Sequence, residues 1–230
     1  MYTQYRSYLQ TITALPTPFK RHPAYTPILE HVSQSLGEEY LARILTDTRL
    51  TLSQIVAFCA MNDSIGDPHT ARIGSLPDPV SPTSLRYLYH ASLILEHAGP
   101  GPHRMVEVGG GYGGLALALH FLAPIEEYHI VDIDEAIALQ RMVLGHLPSV
   151  RVHSASTYGD AVPDGCFLIS NYCFSEIESE HRAEYQRRLL PRCPHGFLVW
   201  NFGPYLDIGK QVTRRPEVPM TGSGNEFVVF

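Results

Sequence analysis

The spacing of apolar residues changes near residue 100 and divides the chain into two parts. Between Ile28 and Phe58 the apolar residues recur at near-helical spacing, which is typical of amphipathic helices. Gly, Pro, Asp and Ser crowd residues 62–82, and a further helix is expected from Ser81 or Thr83 through Leu95. Residues 1–100 are therefore expected to form a helical extension that contributes a substrate lid.

From residue 104 onward, short apolar runs alternate with amphipathic segments. The pattern predicts strands over 105–108, 128–132, 150–153, 166–170, 196–200 and 226–230, and helices over 113–123, 135–147 and 178–190. Such alternation is typical of right-handed crossovers and a mainly parallel sheet with helices on both faces. The sequence thus predicts an α/β, Rossmann-like doubly wound domain over residues 101–230.

Composition and charge narrow the class of protein further. The chain has 230 residues, of which 44% are hydrophobic and 17% charged, so a sizeable core is expected and general disorder is not. The formal net charge of -6 argues against nucleic acid as the main partner. Neither a signal peptide nor an apolar stretch of membrane-spanning length is apparent, so a cytoplasmic protein without a membrane partner is expected. The four cysteines form no C-x-x-C pair, and no metal site is predicted. The sequence does not indicate the oligomeric state.

The strongest chemical signal is a strand that ends in glycines, directly before a helix. Gly109, Gly111 and Gly114 fit the G-x-G-x-x-G pattern of dinucleotide sites, so a nicotinamide-dependent oxidoreductase is one interpretation. Glu107 favours another, because a carboxylate two residues before the loop would repel a diphosphate. S-adenosylmethionine (SAM) carries an ammonium and a sulfonium and no phosphate. We therefore predict a SAM site formed by Glu107, Gly109, Gly111, Tyr112 and Gly113.

Residues that follow the other strands complete the predicted site, because ligands of such sheets bind beyond the carboxyl ends of the strands. Asp132 is expected to bind the ribose hydroxyls, with Asp134 as the less favoured candidate, and Ser154 is expected near the adenine. After the fourth strand, Asn171 could orient the acceptor or hold the methionine end of SAM. Glu176 is the candidate general base, and His181 is a further catalytic candidate. The segment 201–205, after the fifth strand, belongs to the same edge.

Three segments together resemble a family of sugar O-methyltransferases, which are class I SAM-dependent enzymes. They read VEVGGGYGGLA from Val106, VDIDEAIALQ from Val131 and ISNYCFSEI from Ile169. Residues 62–68 and 84–87, together with 217–219 and 225–229, are similar to other parts of that family, so the resemblance covers roughly residues 60–230. Asp134 and Asp67 depart from it, standing where the family has proline and asparagine. The resemblance implies methyl transfer to a hydroxyl of a sugar or a glycosylated small molecule.

The remaining candidates concern the substrate. Asn62 and Asp63, in a polar loop before the sheet, and Arg86 and Tyr87, on the following helix, are the predicted substrate contacts. A cluster of Asn171, Glu176 and Asp160 could hold a metal, but no spacing requires it. Other hypotheses remain open: a non-sugar metabolite or a nucleic acid as the acceptor, or a SAM-binding module without activity.

Overall fold

The computed structural model describes residues 2–201, 205 and 207–230. Residues 202–204, within the predicted binding edge 201–205, lie outside the described residues. Sixteen α-helices and strands follow one another in this part of the chain, and the sheet begins just after residue 100, where the apolar pattern changes.

Five helices precede the sheet, as the helical spacing predicts. They are α1 (Tyr2–Leu9), α2 (Thr26–Leu29), α3 (Gln34–Asp47), α4 (Leu52–Asp63) and α5 (Pro82–Ala98). Thr51 and Gln54 cap α4 reciprocally, since each side chain accepts from the other residue's backbone N–H. Ser81 precedes α5, whose first residue is Pro82, and Gly99 follows its last residue with φ +77°. No helix in the described ranges is long and apolar enough to cross a bilayer.

A seven-stranded sheet forms the rest of the architecture. Its strands are β1 (His103–Val108), β2 (Ile125–Asp132), β3 (Val150–Ser154), β4 (Phe167–Asn171), β5 (Gly196–Trp200), β6 (Thr213–Pro216) and β7 (Glu226–Val229). The strand order is β3-β2-β1-β4-β5-β7-β6; the first five strands are parallel, and β7 is antiparallel to both of its neighbours. The Rossmann-like fold class is therefore confirmed. The apolar pattern does not predict strand β6.

The crossover helices cover both faces of this sheet. They are α6 (Gly114–Leu122), α7 (Asp134–Leu144), α8 (Cys173–Glu176) and α9 (Ser179–Arg188). One apolar cluster joins sheet residues such as Met105 and Phe197 to extension residues such as Tyr25 and Ile44. The other cluster lies on the opposite face, around Leu168. The extension and the sheet thus share one core, which fixes α1, α2 and α5 against the carboxyl edge of the strands.

Candidate functional site

A cavity of about 400 Å³ opens at the carboxyl ends of the parallel strands. The strand order reverses between β1 and β4, where ligands of such sheets bind. Six of the predicted site residues line the cavity, namely Gly109, Gly111, Asp132, Asn171, Glu176 and Arg86. Tyr2, Tyr5, Ile28 and Leu29 of the extension also line it. A more open depression of about 430 Å³, between α1 and residues 22–24, contains none of the predicted residues.

The glycine loop needs its glycines for two separate reasons. Gly109 has φ +80°, in the left-handed region, and a Cβ there would lie 2.3 Å from Cys173 Sγ. Gly111 has φ +58°, and a Cβ there would come within 3.1 Å of the Leu29 side chain. The loop is therefore enclosed by the start of α8 on one side and by the extension on the other.

Asp132 stands at the end of β2 with its carboxylate held by three donors. Oδ2 accepts from the N–H of Gly111 (3.1 Å) and from Gln140 Nε2 (2.8 Å), and Oδ1 accepts from the N–H of Ile133 (2.8 Å). Burial raises the pKa of Asp132 to about 6, against the opposing effect of these hydrogen bonds. The group is therefore mainly ionised at neutral pH.

Glu107 lies beneath the glycine loop and does not line the cavity. It is 2% exposed, and its Oε2 accepts a hydrogen bond from the hydroxyl of Tyr128 at 2.8 Å. Burial raises its pKa to about 8, so the carboxyl group is mostly neutral at pH 7. A neutral group below the loop gives no direct charge contact with a sulfonium. Glu107 thus lies below the loop, and this arrangement does not test its predicted role at the cofactor.

The end of β4 brings two of the catalytic candidates, Asn171 and Glu176, to the same cavity. Tyr172 has φ +66°, an uncommon conformation for a residue with a side chain. Asn171 Nδ2 lies 3.1 Å from His90 Nδ1, and Asn171 Oδ1 is buried without a hydrogen-bond partner. Glu176 Oε1 accepts from Asn201 Nδ2 at 2.7 Å. Partial burial of the Glu176 carboxyl raises its pKa, although the residue as a whole is exposed.

A polar wall that the sequence analysis did not identify closes the cavity beside β7. The carboxylate of Glu217 is fully buried and accepts from the Tyr172 hydroxyl, from the N–H of Thr221 (2.9 Å) and from Asn225 Nδ2 (2.9 Å). Thr221 and Asn225 also line the cavity. In the sequence, the segments around residues 217 and 225 stand out only through the family resemblance. In the structure, both segments pack against the loop that follows β4.

Two residues predicted to contact the substrate, Asn62 and Asp63, form hydrogen bonds within the protein. Asn62 Oδ1 accepts from the hydroxyl of Tyr112 at 2.7 Å, and Asn62 Nδ2 donates to Ser84 Oγ at 2.7 Å. Asp63 Oδ2 accepts from the N–H of Ser81 at 2.8 Å. Asn62, Tyr112 and Tyr87 are buried, and neither these three residues nor Asp63 lines the cavity. The polar side chains that suggested a mobile lid form internal hydrogen bonds at the junction of α4, α5 and the glycine loop.

Three other candidates also lie away from the cavity lining. Gly113 has φ +102° and packs against Leu144, where a Cβ would be 2.6 Å from the leucine side chain. Ser154 accepts from the N–H of Ser156 and starts a short 3₁₀ turn. His181 is exposed, with its Nδ1 2.8 Å from the hydroxyl of Tyr158. Their predicted roles are not tested by this arrangement.

Two further titratable residues differ in position: one belongs to the extension and lines the cavity, and the other, a metal candidate, lies elsewhere. The first is His31; burial lowers its pKa, and the charge of Arg86 lowers it further. The second is Asp160, which forms an ion pair with Arg188 on the α9 side of the sheet. Within the described part of the chain, no three His, Cys, Asp or Glu side chains converge as metal ligands would.

No protein-family model and no curated protein matches the chain. Among solved structures it is similar to the glycopeptide N-methyltransferase MtfA, with 13% identity, a TM-score of 0.43, and coverage of 56% of this chain and 59% of that one. It is similar to a ribosomal protein L11 methylase from Lactobacillus delbrueckii subsp. bulgaricus, with 18% identity, a TM-score of 0.46, and coverage of 64% and 78%. The methyltransferase domain of bacterial CtHen1 is a third, with 15% identity, a TM-score of 0.36, and coverage of 42% and 56%. At such identities and TM-scores the assignment of the Rossmann-like fold rests on the observed strand order, and the substrate is not assigned.

Proposed function

We propose that the chain is a SAM-dependent O-methyltransferase that methylates a hydroxyl of a sugar or a glycosylated small molecule. The observation that carries this proposal is that two sets of side chains share one cavity. Asp132 and the glycine loop line it, as a ribose anchor would, and so do Asn171 and Glu176. A volume of about 400 Å³ falls within the range of small-molecule and cofactor sites.

The glycine loop supports SAM over a nicotinamide dinucleotide. A diphosphate at this position needs free backbone N–H groups at the start of the helix. Here the N–H of Gly111 already donates to Asp132, and the carboxylate brings negative charge against the loop. Leu29 also packs over Gly111. These contacts, and not Glu107, are the argument against a diphosphate at this loop.

When bound, SAM would supply an electrophilic methyl group on a sulfonium, and the chain supplies positioning and a base. Glu176 is the proposed base: its carboxylate would take the proton that the acceptor hydroxyl loses on methylation. Asn201 orients the Glu176 carboxylate through its 2.7 Å hydrogen bond. The extension covers the cavity and reduces access of water, and correct placement of two reactants alone can contribute ~7–11 kcal/mol in favourable cases.

A hydroxyl-rich acceptor suits the polar wall. Asn201, Thr221 and Asn225 bring amide and hydroxyl groups to the lining of the cavity, where each also bonds a neighbouring side chain. Such groups hydrogen-bond sugar hydroxyls and do not require a charged acceptor. The net charge of -6 weighs against a nucleic acid acceptor.

Transfer of labelled methyl from SAM to a panel of acceptors tests this proposal. The panel contains free sugars, nucleotide sugars, glycosides, non-sugar hydroxylated metabolites and oligonucleotides. We expect label on a sugar-containing acceptor, with Glu176→Gln reducing turnover at least tenfold, in keeping with the usual contribution of a general base of about 10²–10⁴-fold. Glu178→Gln, two residues away on the exposed surface, is the matched control and should retain full turnover. Label only on non-sugar acceptors would contradict the substrate class, and an unchanged Glu176→Gln would contradict the base.

A further inference from the structure

Arg86 is a buried cation that forms no ion pair, and the carboxylate of Glu30 acts on its charge only from beyond 4.0 Å. It lies on α5, is 4% exposed and lines the cavity. Its Nη2 donates to the carbonyl oxygen of Leu29 at 3.1 Å, whereas Nη1 is buried without a hydrogen-bond partner. Among residues 2–201, 205 and 207–230, no carboxylate oxygen lies within 4.0 Å of its nitrogens. The rings of Tyr87 and Tyr172 lie 5.7 and 5.4 Å from the guanidinium carbon and compensate for only part of the lost solvation.

The other buried cation of the extension shows the usual arrangement. Lys20 is 1% exposed, and its Nζ lies 3.9 Å from Glu30 Oε1 and donates to the carbonyl of Asn62 at 3.1 Å. Buried charges in proteins are normally paired in this way, because an uncompensated buried ion costs several kcal/mol. Arg86 departs from that rule at the wall of a cavity. An anionic group of a ligand would supply the ion pair that Arg86 lacks.

A second unsatisfied group lies on the same cavity. Asn171 Oδ1 is buried and accepts no hydrogen bond, while its Nδ2 is directed to His90. An orphan acceptor and an orphan cationic donor together are complementary to a group that carries both an ammonium and a carboxylate. That combination is the zwitterion of an α-amino acid.

We propose that Arg86 and Asn171 form a subsite for an α-amino acid group, in which Arg86 binds the carboxylate and Asn171 Oδ1 accepts from the ammonium. The inference rests on the proposed function, since the methionine end of SAM is such a group. An acceptor that carries an α-amino acid group is the other source of the same chemistry. The two sources give different outcomes in one set of titrations.

Calorimetry with three nucleosides tests the first source. S-adenosylhomocysteine has both charged groups, its decarboxylated analogue has only the ammonium, and methylthioadenosine has neither. The wild type should bind S-adenosylhomocysteine on the order of 10- to 100-fold more tightly than the decarboxylated analogue, the range of a charge-assisted hydrogen bond. Arg86→Met should abolish this preference while methylthioadenosine affinity stays unchanged, and Arg86→Lys should retain part of it. Asn171→Ala should narrow the difference between the decarboxylated analogue and methylthioadenosine.

Titration of free serine into protein saturated with S-adenosylhomocysteine tests the second source. If the wild type shows no preference among the nucleosides, serine should bind, and Arg86→Met should lose that binding. The proposal is overturned if Arg86→Met and Arg86→Lys keep the wild-type preference, or if neither the preference nor serine binding exists. A wild type that binds none of the three nucleosides would instead refute the proposed function.

Lys20→Met is the matched control for a merely structural cation. It removes the cation nearest to the Glu30 carboxylate and should lower the thermal midpoint without changing the preference among the nucleosides. Arg86→Met removes an unpaired charge, so the midpoint of the ligand-free protein should not fall. A large fall, together with an unchanged nucleoside preference in Arg86→Lys, would assign Arg86 to the fold and not to the subsite.

Discussion

Substitution of Gly109 by alanine tests whether the loop and α8 are packed as closely as the structure shows. The new methyl group would lie 2.3 Å from Cys173 Sγ and 2.4 Å from Cys173 Cβ, distances that require one of the two segments to move. The backbone at Gly109 also has φ +80°, where alanine is strained. Two separate costs therefore act on one residue, and the neighbouring cysteine is involved in only one of them.

The expected magnitude is the sum of these costs. A left-handed conformation costs a residue with a Cβ about 1–2 kcal/mol, and an overpacked contact costs about 1–3 kcal/mol. Gly109→Ala should therefore lower the free energy of unfolding by ~2–5 kcal/mol. Gly165→Ala is the matched control, because Gly165 has φ +84° but no heavy atom within 4 Å of the position that a methyl group would take. It should show only the conformational cost of about 1–2 kcal/mol.

Urea unfolding of Gly109→Ala, Cys173→Gly and the double variant separates the two costs. Removal of the cysteine side chain should recover ~1–3 kcal/mol in the double variant beyond the sum of the single effects, while the conformational cost remains. Additive single effects, or a Gly109→Ala variant no less stable than Gly165→Ala, would show that the loop does not lie against α8 as described.

Three further substitutions test individual side chains. Gln140→Leu removes a hydrogen-bond donor that lowers the pKa of Asp132, so the pKa of Asp132 should rise above its value of about 6. The affinity for S-adenosylhomocysteine should then fall at pH 7 and recover at pH 8. A loss of affinity that is equal at all pH values would contradict the electrostatic role. Glu107 has an ordinary pKa of 4.5 and a folded pKa of about 8, so the folded state holds the proton longer than the unfolded state, and stability should decline as pH rises through this window. Urea unfolding between pH 5 and 8 should show a flatter decline for Glu107→Gln, and an unchanged slope would refute the assignment. Arg6→Ala breaks the 2.8 Å bridge to Glu135, and because Arg6 is half-exposed it should cost less than about 1 kcal/mol in thermal or urea unfolding; a larger loss would show that α1 depends on it.

The sequence predicts the sheet well where its strands are apolar. Five parallel strands and β7 appear close to their expected positions, because alternation of buried strands and amphipathic helices leaves a clear pattern. The apolar pattern does not predict strand β6, because Thr213–Pro216 is exposed at the sheet edge and carries two arginines and a proline instead of an apolar run. It is formed by pairing with β7, a tertiary interaction that no local pattern records.

The candidate site also contains some residues that the sequence predicts and others that it does not. The rule that ligands bind beyond parallel strands led to Asp132, Asn171 and Glu176, and the fold brings these three to one cavity. His31 and Asn225 belong to segments that are distant in the sequence, and their local pattern does not indicate that they line the cavity. Glu107 and Tyr112 lie next to the loop in sequence, but their side chains are buried beneath or behind it.

The same distinction applies to Arg86. A buried guanidinium cannot be told from an exposed one in a helical pattern, because arginine is common on helix surfaces. The structure shows that it is 4% exposed and that one of its nitrogens lacks a partner, and these two facts make it informative. Composition and spacing alone leave it as one of four equivalent substrate candidates.

Titration of the full chain with S-adenosylhomocysteine and, separately, with NADH tests the proposed cofactor most directly. We expect saturable heat with S-adenosylhomocysteine, reduced by Asp132→Asn, and none with NADH. Saturable binding of NADH, with no heat from S-adenosylhomocysteine, would contradict the proposal.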